Sequence, residues 1–175
     1  PTSFLLLAAL FESQQRTRET FDVLELARNK HPGHDEIERR LAITAGRLGR
    51  SKDALEAARR LADAHPGDIS AQVFLGDVAA ELNERTTAEG AYRAALERDP
   101  ENSQVLNTLA WFLRNEPDRR EEAVRLIQRA LSINPEMDSA WDTLAELHYR
   151  EGRYAEALVA IDHAVSLESD NREFY

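Results

Sequence analysis

No cysteine occurs among the 175 residues, which excludes disulfides and thiolate metal sites. Proline and glycine are scarce, six and seven residues, so little material is left for long loops. Aromatic residues make up only 7% of the chain, and the only lysines are Lys30 and Lys52. The longest apolar run, residues 4–11, is too short to cross a bilayer, and it lacks the basic flank and cleavage site of a leader. What remains is rich in Ala, Leu, Glu and Arg, residues that favour helix throughout. A hydrophobic content of 42% is enough for a packed core, and 31% charged residues supply a solvated surface.

Charge is unbalanced, at −10 overall. Residues 69–102 carry seven acids against three bases, and residues 138–171 carry eight against two. Such acidity argues against nucleic acid, whose binding needs clustered cations to displace counterions. It favours basic partners through long-range attraction, alongside its plain contribution to solubility.

Proline sets a period. Pro32, Pro66 and Pro100 stand 34 residues apart, Pro135 follows 35 later, and the next expected position holds Ser169. Each Pro lies just past a helical run and forbids its continuation. The stops divide the chain into five units, 1–34, 35–68, 69–102, 103–137 and 138–171. Their seventh position reads Leu7, Leu41, Leu75, Leu109 and Leu144, and the eighth Ala8, Ala42, Gly76, Ala110 and Ala145. The twentieth reads Thr20, Ala54, Ala88, Ala123 and Ala157, and the twenty-seventh Ala27, Leu61, Ala95, Ala130 and Ala164. Small residues at eight and twenty let two helices approach closely, ridge into groove. A unit this short cannot bury its own apolar faces, so it makes sense only beside its neighbours.

The turn between the two helices of a unit is short. Gly49, Asn83 and Gly152 share one equivalent position, where a left-handed backbone is cheapest for Gly and tolerable for Asn. The fourth unit carries one extra residue in Asn115-Glu116-Pro117-Asp118. Pro117 is expected to end one helix and open the next, leaving the packing period intact.

The pattern resembles the tetratricopeptide repeat, whose 34-residue signature reads Trp-x2-Leu-Gly-x2-Tyr, Ala-x3-Phe, Ala and Pro. The last unit matches it as Trp141, Leu144, Ala145, His148, Gly152, Ala157, Ile161 and Ala164, and departs at Ser169. The Trp position is poorly kept elsewhere, as Phe4, Glu38, Gln72 and Leu106. The resemblance implies an all-α fold, a right-handed α-solenoid of antiparallel helix pairs, as a single stack over residues 1–171. It also implies first helices lining a concave groove that takes a peptide or helix of a partner protein, with no catalysis by the repeats themselves.

That geometry places Arg39, Ile43, Arg47, Asp77, Asn107, Trp111, Arg114, Glu146, Tyr149 and Arg150 on the groove. Trp111 is the sharpest candidate, because a rigid aromatic anchor dominates many interfaces; the competing reading is plain packing. Arg39 and Arg47, eight apart on one helix face, suit a carboxylate gripped by forked hydrogen bonds. The Lys/Asn clamp by which one subclass of the family grips the carboxylate tail of heat-shock chaperones finds no match in any window of units.

His31 and His34 flank Pro32, and His65 repeats the place of His31. Ligands on a turn do not make a closed site, so no metal is expected; His148 takes a packing position. No phosphate loop, zinc-protease motif or nucleophile beside a base is present, so neither an enzyme nor a cofactor is expected. Two other roles stay open: a structural protein that self-associates through repeat ends or its convex face, and a regulatory arm of a larger enzyme. The opening Phe4-Leu5-Leu6-Leu7 and the closing Arg172-Glu173-Phe174-Tyr175, which begins a sixth unit, lead to the expectation that the natural protein extends both ways. No membrane insertion is expected; the compartment, cytoplasmic or periplasmic, is open, and the Arg-rich composition points to a bacterial source.

Overall fold

A computed structural model of the chain describes residues 1–172, with side chains described to residue 167. Among the described residues there are ten α-helices, one 3-10 turn and no strand. The helices are α1 Thr2–Ser13, α2 Thr17–Lys30, α3 Asp35–Arg47, α4 Ser51–Ala64, α5 Ile69–Glu81, α6 Arg85–Arg98, α7 Ser103–Leu113, α8 Arg120–Ile133, α9 Asp138–Arg150 and α10 Tyr154–Arg172. The fold class is all-α, an α-solenoid of helix pairs. Two compact units, Pro1–Ala95 and Leu96–Tyr175, meet inside the sequence of α6.

Local chemistry explains where the helices end. In four of the pairs, the amide five residues after the signature's Tyr position reaches back to that position's carbonyl. The bonds are Arg16 to Phe11 (2.9 Å), Arg50 to Ala45 (2.8 Å), Glu84 to Ala79 (2.8 Å) and Arg153 to His148 (2.9 Å). This bond closes a helix C-terminus around one left-handed residue, here Gln15, Gly49, Asn83 and Gly152. Gln15 adopts φ +58° without being Gly or Asn. The pair α7–α8 differs: a 3-10 turn at Pro117–Arg119 fills the connection, and the extra residue is spent there, before α8. Four of the five second helices open alike, with Arg16, Arg50, Arg119 and Arg153 each holding the acid three residues on, Glu19, Asp53, Glu122 and Glu156. The acids also favour the positive end of the helix dipole.

The last helix does not stop near residue 168. Where the other units carry Pro, Ser169 offers no steric barrier, and α10 continues to Arg172. The sixth unit expected to begin at Arg172 thus has its first residue inside α10, and its residues 173–175 lie outside the described residues.

In the first unit the core gathers Ala8, Phe21, Leu24, Ala27, Ile37, Leu41, Ala42, Ala54, Ala58 and Leu75. In the second it gathers Leu106, Leu109, Ala110, Leu113, Ala123, Ile127, Leu147 and Ala160. Each helix packs on the next in sequence, from α1 to α5 and from α7 to α10, and α3 also meets α5 as α7 meets α9. The small eighth and twentieth positions, Ala8, Ala42, Ala54, Ala88, Ala110 and Ala123, are fully buried or nearly so. Glu38, at the signature's Trp position, is buried too and accepts from Arg60 of α4 at 3.1 Å, the pairing that a buried carboxylate requires.

Candidate partner-binding clefts

In the first unit α3 packs on its own partner α4 and also meets α5, and clefts open on the surface beside it. In the first unit, α3 and α5 enclose one of about 410 Å³, lined by Ile43, Gly46, Arg47, Phe74, Asp77, Val78, Glu81 and Leu82, with Ala42 and Ala54 beneath. A neighbouring cleft of about 390 Å³ is polar, lined by Glu12, Gln15, Thr17, Thr20, Thr44 and Arg47. Arg47 belongs to both. It is exposed, and among the described residues no carboxylate pairs with it. Gly46 lines the first cleft, and the space over it is open, since a Cβ there would meet nothing within 4 Å.

Arg39, on the same helix as Arg47, has a contact of its own. Its guanidinium lies 4.5 Å from the centroid of the Phe74 ring, a cation–π contact that commits it to the wall of α5. Asp77 accepts a hydrogen bond from the Tyr92 hydroxyl at 2.8 Å. Partial burial raises the Asp77 carboxyl above its ordinary range, and the Tyr92 bond opposes that rise. Burial first, then the neighbouring Asp77, pushes the Tyr92 phenol upward.

The second unit brings other candidates together. Trp111 is 47% exposed, and the Arg114 guanidinium stacks 3.3 Å from its ring centroid. Arg114 Nη1 also donates to the Trp111 carbonyl at 2.5 Å, while its Nε is buried without a partner. Burial first and then the positive Arg150 make Arg114 a weaker base, with Glu146 opposing. Arg150 Nε donates to Glu146 at 2.6 Å. Tyr149 is exposed, its ring 5.6 Å from that of Tyr154. Between α9 and α10 an apolar cleft of about 430 Å³ is lined by Ala145, Glu146, Tyr149, Tyr154, Ala157, Leu158 and Ile161, with Asp142 at its edge.

Asn107 is the least exposed of the residues expected on the groove in this unit. Expected on the groove, it is only 8% exposed and accepts from the Thr143 hydroxyl at 2.8 Å. It joins α7 to α9 and has little surface left for a guest. His148 occupies a packing position, buried, with Nδ1 unpartnered. Trp141 donates to the Pro135 carbonyl at 2.8 Å and stacks on His163 with centroids 4.4 Å apart.

Sequence reasoning missed the Tyr92–Asp77 contact and its cause. A Cβ on Gly76 would lie 2.4 Å from the Tyr92 ring, so the ring occupies the space a side chain would take. The signal was present: the one Gly at the eighth position and the one aromatic at the helix-facing place of the second helix occur in the same unit.

Comparison with known proteins bears on these clefts. Tetratricopeptide repeat family models match residues 39–103, 76–118 and 116–175. A TPR repeat-containing protein of Pseudomonas aeruginosa is 29% identical over 93 residues, 53% of this chain and 16% of that protein. The chain spans only 16% and 19% of the length of the first curated relatives it matches. Among solved structures, MamA from Desulfovibrio magneticus RS-1 superposes with TM-score 0.76 at 15% identity, covering 97% of this chain and 95% of that one. YrrB, described as a TPR protein with an unusual peptide-binding site, gives TM-score 0.67 at 16% identity, covering 95% and 86%. At these identities the structural likeness speaks for the fold.

Proposed function

This chain belongs to the tetratricopeptide repeat family, and from that premise we propose that it is a non-catalytic scaffold that holds an extended segment or single helix of a partner protein along its first helices. The observation that carries the reading is Trp111, an indole left half in solvent on a first helix while Arg114 stacks on it. A half-exposed indole whose ring is already oriented by that stacking suits an interface anchor. Arg150 and Glu146 of α9, whose charges act on Arg114, and Tyr149 of the same helix α9, supply the polar rim that fixes a guest's register.

The test compares intact and Trp111→Ala chains side by side in affinity capture, with helicity checked by circular dichroism. The variant is expected to keep its helix content and lose partner affinity by about tenfold or more. Equal capture by both chains contradicts the anchor role.

A second reading has an observation of its own. Leu6 and Leu10 on α1, and Leu158, Val159 and Val165 on α10, are large apolar side chains more than half exposed, and such faces promote association between copies. Sedimentation across a concentration series separates the readings: growth in mass favours self-assembly, and a constant monomer leaves the groove as the working surface.

A further inference from the structure

The cleft between α3 and α5 has a device that the other units lack. Gly76 clears the space into which the Tyr92 ring packs, and the ring's position delivers its hydroxyl to Asp77 Oδ1 at 2.8 Å. In the other units the eighth position is Ala and the residue in the place of Tyr92 is Leu24, Ala58, Ile127 or Ile161, none with a hydroxyl. One oxygen of Asp77 is therefore held from behind, and the carboxylate is oriented at the edge of an apolar hollow formed by Ile43, Phe74, Val78 and Leu82. Glu81 follows Asp77 by four residues, which places both carboxylates on one face of α5, and both line the cleft. Ile43 stays 41% exposed at the opposite wall.

Resting on the groove reading above, we propose that this cleft selects an extended peptide segment in which an aliphatic side chain adjoins a lysine or arginine. The aliphatic side chain fills the hollow over Gly46, and the cation lies along α5 against Asp77 and Glu81. Charge complementarity sets the preference: the segment that contains α5 and α6 holds seven acids against three bases, within a chain of net charge −10. The nearby cations sit on the opposite helix. Arg39 is committed to Phe74, and Arg47 stands at the junction with the neighbouring polar cleft, where it meets the guest's carbonyl oxygens. A guest cation also relieves the partial burial that disfavours ionised Asp77.

Selection of a random linear peptide library on the immobilised chain tests the proposal. The expected winners carry Lys or Arg beside Leu, Ile, Val or Met. Their synthetic versions are expected to bind an Asp77→Asn/Glu81→Gln variant about tenfold more weakly and a Glu121→Gln variant, altered on the exposed face of α8, unchanged. Both substitutions keep the side-chain shape, and circular dichroism confirms that the variant is folded. Winners that are acidic or uniformly apolar, or that bind the double variant undiminished, overturn the basic-segment inference and leave the groove standing. A selection that yields no binding peptide overturns both.

Discussion

At the scale of single residues, glycine at position 76 sets packing rather than backbone conformation. It sits inside a helix, where Ala is worth up to about 1 kcal/mol more than Gly by intrinsic propensity. A Cβ there would nevertheless lie 2.4 Å from the Tyr92 ring, and overpacking a rigid site costs about 1–3 kcal/mol. Overpacking outweighs propensity, so Gly76→Ala is expected to lower urea-unfolding stability by about 1 kcal/mol. Gly76→Ala combined with Tyr92→Leu recovers the loss, because Leu stands in the place of Tyr92 in the first unit. A single variant more stable than the parent refutes the close-approach account. Other residue roles were hidden from the sequence for a comparable reason. Nothing in the letter Gln marks position 15 as left-handed; the neighbouring turn imposes it. Asn107 reads as a surface amide until Thr143, 36 residues away, is seen to supply its partner. Trp111, Tyr149 and Ile43, expected on the groove from the repeat's geometry, are exposed large apolar side chains.

At the scale of elements, proline spacing was legible because its effect is covalent and local, and the helices end before each Pro without help from tertiary contacts. Where the cue lapses at Ser169, α10 runs on to Arg172. The helix-opening Arg–acid pairs were written in the sequence, yet three-residue charge spacings are so common in helices that nothing singled them out. His148 gives α9 a measurable signature. Burial lowers its pKa below the ordinary 6.5, helped by Arg153 and opposed by Glu151 and Glu156. The folded chain therefore resists a proton that the unfolded chain accepts. The sign follows: this contribution to stability is complete above pH 6.5 and is lost as pH falls below it, toward the depressed folded value. Between pH 7.5 and 5.5, the parent is expected to lose more stability by chemical denaturation than His148→Tyr, which carries the aromatic residue of the family signature. Equal losses contradict the assignment of that proton to His148.

At the scale of the whole molecule, the chain presents first-helix clefts of different character. The α3–α5 cleft of one compact unit pairs apolar walls with oriented carboxylates; the other unit offers Trp111 under Arg114 and an apolar hollow at Tyr149. No helix among the described residues is long and apolar enough to cross a membrane. The net charge of −10 steers basic guests toward such surfaces and weakens with added salt. The central claim is that first helices, not second helices, carry the partner. Amide chemical-shift mapping of the isotope-labelled chain, titrated with a peptide selected as above, tests it most directly. The account predicts that shifts concentrate at residues 43–47 and 74–82. Shifts confined to the outward faces of α4 and α6 would contradict it.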